Sequence, residues 1–337
     1  GATGAGWEEN VAHAVRIVRG ITQEGRDTHT RKEEKLLRKM GVGVETVPGR
    51  FFGTNEVKIP LHPRISPQEL QQKKVEVLTQ NKPLTTINAI GWSRGGVSCI
   101  MFANALHDIG INVPVNIFAC DPVPGAGNFD KHRVRLHSNV QNYVGIYAAD
   151  ERSRGFTPVL PSTPTSTRTF IMSIPGKHAT LVGNASDNGG SGAASLYGPG
   201  KITRDLAEKY LTQWGTPLRN KLNLSDVDIL QLYDGMISRN DKYQAMHNKA
   251  YILGFTQNER SVGLGDGSSS TFNARSNLSL GADAFFVNSH HRGLFANRYA
   301  ALYHHIFDGR PMSKERLELE MFNLKMMYPS LYAALAT

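Results

Sequence analysis

The sequence predicts an α/β fold: a doubly wound, mostly parallel sheet with a helical C-terminal lobe or lid. Three observations lead there. Leu84–Asp108 reads LTTINAI, then GWSRGG, then VSCIMFANALHD. A β-prone run enters a glycine-flanked serine and an apolar-periodic run leaves it, which is strand, sharp turn and helix. Val113–Cys120 (VPVNIFAC) is a near-continuous β-branched and aromatic run, as in central parallel strands covered on both faces. Val140–Ala149 and Arg168–Ile174 are two further strands, and all three run into a polar residue capable of chemistry.

Length and composition set the limits. At 337 residues the chain suits one large α/β domain with an appended lobe, or two modest domains. We expect a core over residues 1–183 and a mainly helical lobe over 184–337. The chain is 40% hydrophobic and 20% charged, ordinary for a soluble globular protein. No run approaches the ~18 apolar residues of a membrane span. Gly1–Gly6 has neither the basic end nor the apolar core of a signal peptide, and without an initiator Met the chain is expected to be a processed or trimmed one. Cys99 and Cys120 lie in apolar surroundings and read as core residues, not as a disulfide framework. The net charge of +9 points to anionic lipid, nucleic acid or an acidic protein. The densest basic stretch, Arg26–Lys39, is interrupted by Glu33 and Glu34 and reads as a salt-bridged helical face. Basic residues are nowhere interleaved with aromatics as in single-strand binders, so no nucleic-acid partner is expected.

The elements follow in order. Gly1–Gly6 is a glycine loop opening onto a helix whose Val11, Ala14, Val15 and Val18 share one stripe. A strand would be expected just before Gly1, so the N-terminal strand of the core is read as missing. Glu33–Met40 is helical, Gly41–Pro48 a short strand with turns, and Pro67–Gln80 a helix with Pro at its start. The helix after the serine turn buries Val97, Ile100, Met101 and Ala105, with Gly95 and Gly96 allowing close approach to the sheet. Asn184–Gly200 is small and polar, a loop or lid; Thr203–Trp214, Ser225–Asn240, Asn297–Phe307 and Ser313–Ala334 are helices; Val262–Ser276 is a glycine-serine loop.

The chemistry collects at the strand ends, where ligands bind in open α/β sheets. Ser93 sits in Gly91-Trp92-Ser93-Arg94-Gly95, a turn suited to a serine nucleophile; the bland alternative is a helix N-cap. A serine hydroxyl needs a base within reach and a carboxylate to fix the base's tautomer. His178, after the Pro175-Gly176 turn, is the candidate base. His290 and His291 compete with it. That pair, with His304 and His305, lacks a carboxylate or thiolate at ligand spacing, so no metal is expected. The acid is Asp121 or Asp150. Asp121 ends its strand in a proline-bound turn; Asp150 is followed by Glu151, Arg152 and Arg154, whose bland reading is a local ion-pair network. For an oxyanion, the backbone N–H of Arg94 is the first candidate donor and Gly4, in the glycine loop, the second.

These residues resemble an α/β-hydrolase family, that of type VI secretion phospholipase effectors. Gly91–Gly95 is similar to their G-F-S-R-G elbow with Trp for Phe, Phe118–Val123 (FACDPV) to the end of their next strand, Ala148–Phe156 (AADERSRGF) to an A-L-D-E-R-R-x-F stretch, and Pro175–His178 (PGKH) to P-G-V-H. The glycine loop before Trp7 is similar to their N-terminal D-G-T-G turn. After His178 the family's S-D-V-G-G-G is replaced by Ala179–Asn184 (ATLVGN). Asn116–Phe129 also resembles a segment of fungal-type lipases, which places the acid at Asp150, whereas the effector resemblance places it at Asp121; we favour Asp121 and keep both. The resemblance implies a serine esterase without cofactor that cleaves lipid esters, phospholipase A-type, acting on a membrane surface. It implies a cytoplasmic protein delivered to a target cell, with immunity or secretion-apparatus partners. Thioesterase, acyltransferase and peptidase chemistry fit the same scaffold, and a degenerate hydrolase used for binding is the non-enzymatic alternative.

Overall fold

The computed structural model describes residues 7–18, 28–29, 45–48, 55–58, 84–125, 128–184, 196–250, 255–264, 268–271 and 289–336. They fall into two compact units, Glu8–Thr85 and Thr86–Thr337 together with Gly1–Trp7. Glu8–Thr85 contains nearly all of α1 (Trp7–Val18). It also holds a small antiparallel sheet in the order β1 (Thr28–His29), β3 (Asn55–Lys58), β2 (Glu45–Pro48). The helices expected at Glu33–Met40 and Pro67–Gln80, and the glycine loop Gly1–Gly6, lie outside the described residues.

The larger unit is α/β. Its central sheet runs β4 (Ile87–Trp92), β5 (Val115–Cys120), β6 (Val140–Ala148), β8 (Arg168–Ile174), every pair parallel. All of β5 is buried, because the sheet is covered twice. On one side α2 (Arg94–Asp108) packs on β4 and β5 with Val97, Ile100 and Ala103 wholly buried. Phe118 and Cys120 share a second core with Val144, Ile146, Met172 and Ile174, and with Ile202 and Leu206 of α4 (Gly198–Gln213). Buried aliphatic side chains of this size each contribute on the order of 2 kcal/mol. Asn116 is tolerated in β5 by a ladder across three strands: its Nδ2 donates to Asn88 Oδ1 at 2.8 Å, and Asn142 Nδ2 donates to Asn116 Oδ1 at 2.6 Å. Asn88 in turn donates to Trp214 O at 3.0 Å, which fastens the sheet to the end of α4. Burial pushes the thiols of Cys99 and Cys120 up to about 12, so both stay neutral core groups.

A short α3 (Lys131–Val134) precedes β6. The helical C-terminus comprises α5 (Asp226–Ile237), α6 (Asn240–Ala245), α7 (Ser289–Arg298), α8 (Ala300–Phe307), α9 (Lys314–Met327) and α10 (Pro329–Ala336). Ser225 and Asp228 start α5 with a reciprocal capping box. No helix among the described residues is long and apolar enough to cross a membrane. The sequence reading placed a boundary after residue 183. The compact units divide after Thr85 instead, because α4, α5 and the later helices complete the core that the sheet begins.

A second correction concerns Val262–Ser276, read as a loop. It contains a hairpin of β9 (Ser261–Leu264) and β10 (Ser269–Thr271), and β9 pairs in parallel with β7 (Val159–Leu160). Gly263 is in the strand for close contact: a Cβ there would lie 2.1 Å from the Phe129 ring.

Candidate active site

β4 ends at Trp92 and α2 begins at Arg94, so Ser93 alone makes the turn. It has φ 57° and ψ −127°, a conformation costing on the order of 1–3 kcal/mol for a residue with a Cβ. The backbone locks it there. Ser93 N–H donates to Cys120 O at 2.9 Å, and Ser93 O accepts from Gly96 N–H at 3.0 Å. The hydroxyl makes no capping bond to the helix, so the N-cap reading does not describe this serine. Nor is it hydrogen-bonded to His178; catalytic hydrogen bonds often tighten only when substrate binds.

The flanking glycines are not equivalent. A Cβ on Gly91 would sit 2.2 Å from the backbone of Gly95, whereas a Cβ on Gly95 would meet nothing within 4 Å. A Cβ on Gly96 would meet Pro122 at 3.0 Å. Gly91 and Gly96 therefore hold the elbow tight; Gly95 does not. Gly91→Ala should lose several kcal/mol of stability through the forced backbone shift. Gly95→Ala, inside a helix, should gain ~0.5–1 kcal/mol. Urea unfolding of the two variants checks this; equal effects would contradict the packing.

The three later strands deliver their polar residues to the same carboxyl edge. Asp121 follows β5 with φ 39° and is fully buried. His178 follows β8 and is 3% exposed. Their side chains meet: His178 Nδ1 lies 2.7 Å from Asp121 Oδ2. That contact assigns the proton to Nδ1 and leaves Nε2 as the basic nitrogen. The ring is clamped by Trp92 at 4.9 Å and by the edge of Phe156 at 5.1 Å, and Trp92 Nε1 donates to His178 O at 3.1 Å. The residue beside Ser93 thus packs directly on the imidazole. Below it, Glu151 Oε2 accepts His178 N–H at 3.2 Å, and Oε1 accepts Ser153 N–H at 2.6 Å.

Asp121 has further partners. Ala148 N–H donates to Oδ1 at 3.2 Å. Arg260 Nη2 donates to Oδ1 at 2.7 Å and to Oδ2 at 2.8 Å, and Arg260 Nη1 donates to Phe156 O at 2.6 Å. Burial pushes the carboxyl upward, but the Arg260 charge and the bonds from His178 and Ala148 outweigh it and hold the group below the usual carboxylate range.

Asp150 is placed elsewhere. Its Oδ1 receives His247 Nε2 at 2.7 Å, and its Oδ2 accepts Gly176 N–H at 2.7 Å. Asp150 N–H donates to Gly176 O at 3.0 Å. It fastens the turn that carries His178 without touching the imidazole. Arg152 does not pair with it, donating instead to the carbonyls of Ala149 and Glu151. Gly176 itself has φ 111°, and a Cβ there would meet Thr180 at 2.7 Å. Lys177, next to His178, is buried and donates to Lys249 O.

The remaining candidates separate clearly. Arg94 is the first residue of α2, in the turn whose N–H groups have no acceptors within a helix. Gly4 and the side chain of His290 lie outside the described residues. His291 is buried among the helices between Tyr233 Oη at 2.8 Å and Asp205 Oδ2 at 3.1 Å. His304 pairs with Asp308 at 2.6 Å. Among the described residues, His107, Asp108 and His137 bring three potential metal ligands within 4.8 Å. The two imidazoles are stacked at 4.1 Å and 7°. An ion ~2.1 Å from both nitrogens would sit between parallel ring planes, out of line with in-plane lone pairs. The group is a stacked pair and not a ligand set.

Sequence reasoning missed Arg260, His247 and the roles of Trp92 and Glu151. Glu151 and Phe156 lay in the stretch AADERSRGF, so a signal for them existed. Arg260 stands alone in NERSV, and nothing local marks it as buried. The sequence matches no family model and no curated protein.

Proposed function

We propose that this chain is a serine hydrolase of the α/β-hydrolase type that cleaves carboxylic esters of lipids, phospholipase A-type. The observation that carries this reading is the 2.7 Å contact of His178 Nδ1 with buried Asp121, at the same sheet edge as a serine held at positive φ. In the reaction, His178 Nε2 takes the Ser93 proton as the hydroxyl attacks the ester carbonyl. Asp121 stabilises the imidazolium that forms. His178 then protonates the leaving alcohol, and water repeats the sequence on the acyl-enzyme. The Arg94 N–H is the first oxyanion donor in this scheme.

Lipid is favoured by the surroundings. Trp92, beside Ser93, is 41% exposed, and Val182, four residues beyond His178, is 46% exposed. Such apolar groups suit an acyl chain. The net charge of +9 favours anionic membranes by ~1 kcal/mol per Lys or Arg near the surface. The test is incubation with mixed phospholipid vesicles followed by mass spectrometry of the products. Fatty acid plus lysolipid is the expected result. Phosphatidic acid or unchanged lipid counts against it.

A further inference from the structure

The fully buried carboxylate of Asp121 is held by a cation that arrives from 139 residues downstream. Arg260 immediately precedes β9, and β9 is fixed to β7 by its parallel pairing and by Gly263 N–H donating to Pro158 O at 2.9 Å. The Arg260 side chain is 3% exposed and its two terminal nitrogens serve different acceptors. Nη2 bridges both Asp121 oxygens and Nη1 binds the carbonyl of Phe156, whose ring packs edge-on against His178. A single side chain therefore sets both the carboxylate and one wall of the imidazole site. We propose that Arg260 is a positioning residue for the Asp121–His178 pair, holding the Asp121 carboxylate in place to accept the hydrogen bond from His178 Nδ1–H. This rests on the hydrolase reading above.

The physical need is plain. A carboxylate with no water contact ionises only if other groups supply what water would have supplied. Asp121 has two donors besides Arg260, His178 and Ala148 N–H, and only Arg260 among the three carries a permanent charge. Cys120, Tyr143 and Tyr147 also face it and stay neutral, all raised in the first place by burial. Without Arg260, burial is opposed only by the bonds from His178 and Ala148 N–H, and the carboxyl takes up its proton at higher pH. A protonated Asp121 no longer prefers the Nδ1–H tautomer of His178. Arg260 also has a cost, because its charge weakens the field Asp121 exerts on the imidazolium. For a group removed this far from water, the gain in ionisation outweighs that loss.

The experiment compares wild type, Arg260→Met and Arg260→Lys by ester hydrolysis across pH and by proton NMR of the downfield His178 Nδ1–H signal. Arg260→Met should lower kcat at least about tenfold with KM little changed, move the acid limb of kcat/KM to higher pH, and abolish the NMR signal. Arg260→Lys should return the acid limb towards wild type and restore the signal. It recovers kcat only in part, because an ammonium cannot also span to Phe156 O. A folded Arg260→Met protein with an unshifted acid limb and an intact signal overturns the proposal. So does Arg260→Lys behaving like Arg260→Met, since charge would then be irrelevant. If wild type hydrolyses no ester, the hydrolase reading fails by itself. The NMR comparison then still decides whether Arg260 orders the pair.

Discussion

Ser93→Ala is expected to lower ester hydrolysis by at least ~10³-fold while leaving the thermal transition within a few degrees of wild type. The two halves of that expectation have different origins. The activity loss follows from removing the nucleophile of a unit whose members act together, in which deleting one costs about as much as deleting all. The intact fold follows from local structure. The hydroxyl makes no capping bond, and the backbone bonds to Cys120 O and from Gly96 N–H do not involve it. Alanine must still adopt φ 57°, as serine does, so the strain is unchanged. His178→Ala should match the activity loss, and the double variant should be no worse than either. Initial rates on a soluble ester, with circular dichroism on the same samples, check all three. Retention of more than about a tenth of wild-type activity by Ser93→Ala would rule out Ser93 as the nucleophile.

Much of this site was legible because strands punctuate it. Each run of β-branched and aromatic residues in a parallel sheet ends at the edge where ligands bind, so the sequence alone places Ser93, Asp121, Asp150 and His178 on one edge. What periodicity cannot supply is which strand-end side chains reach one another. Asp121 and Asp150 lie at comparable places in the chain pattern. The difference is made by rotamer and backbone: Asp121 at φ 39° turns onto His178, and Asp150 turns onto Gly176 N–H and His247. The helical C-terminus was misread for a related reason. Its helices were recognised, but amphipathic faces do not state their partner, and this partner is the sheet itself. Arg260 is the extreme case. A buried arginine becomes intelligible only once its carboxylate is known, and that carboxylate is contributed by a distant part of the chain.

Asp121→Asn should reduce turnover by as much as ~10⁴-fold, through loss of the correct imidazole tautomer. Asp150→Asn should reduce it about tenfold or less. An asparagine at 121 presents one oxygen where the carboxylate presented two. It must satisfy His178, Arg260 and Ala148 N–H at once, and it leaves the Arg260 charge buried and unpaired. Breaking a buried pair in this way costs ~3–5 kcal/mol, so the variant is also expected to be less stable. The sign of the pH dependence follows. Because Asp121 in the folded protein is held below its ordinary value of 3.8, the stability it contributes is present above that value and is lost as pH falls through the folded one. The stability gap between wild type and Asp121→Asn should therefore narrow in acid. At 150 the substitution is gentler. The new amide oxygen can still accept Gly176 N–H, the backbone bond from residue 150 to Gly176 O is untouched, and His178 N–H remains on Glu151. What is lost is the charge facing His247, a partly exposed partner, at ~1–3 kcal/mol. Paired kcat and urea-midpoint measurements on the two variants separate the roles. Equal losses of kcat would mean that the His178 turn is set by Asp150 as much as the ring is set by Asp121. A larger loss at 150 would transfer the acid to that residue and, with it, the base to His247.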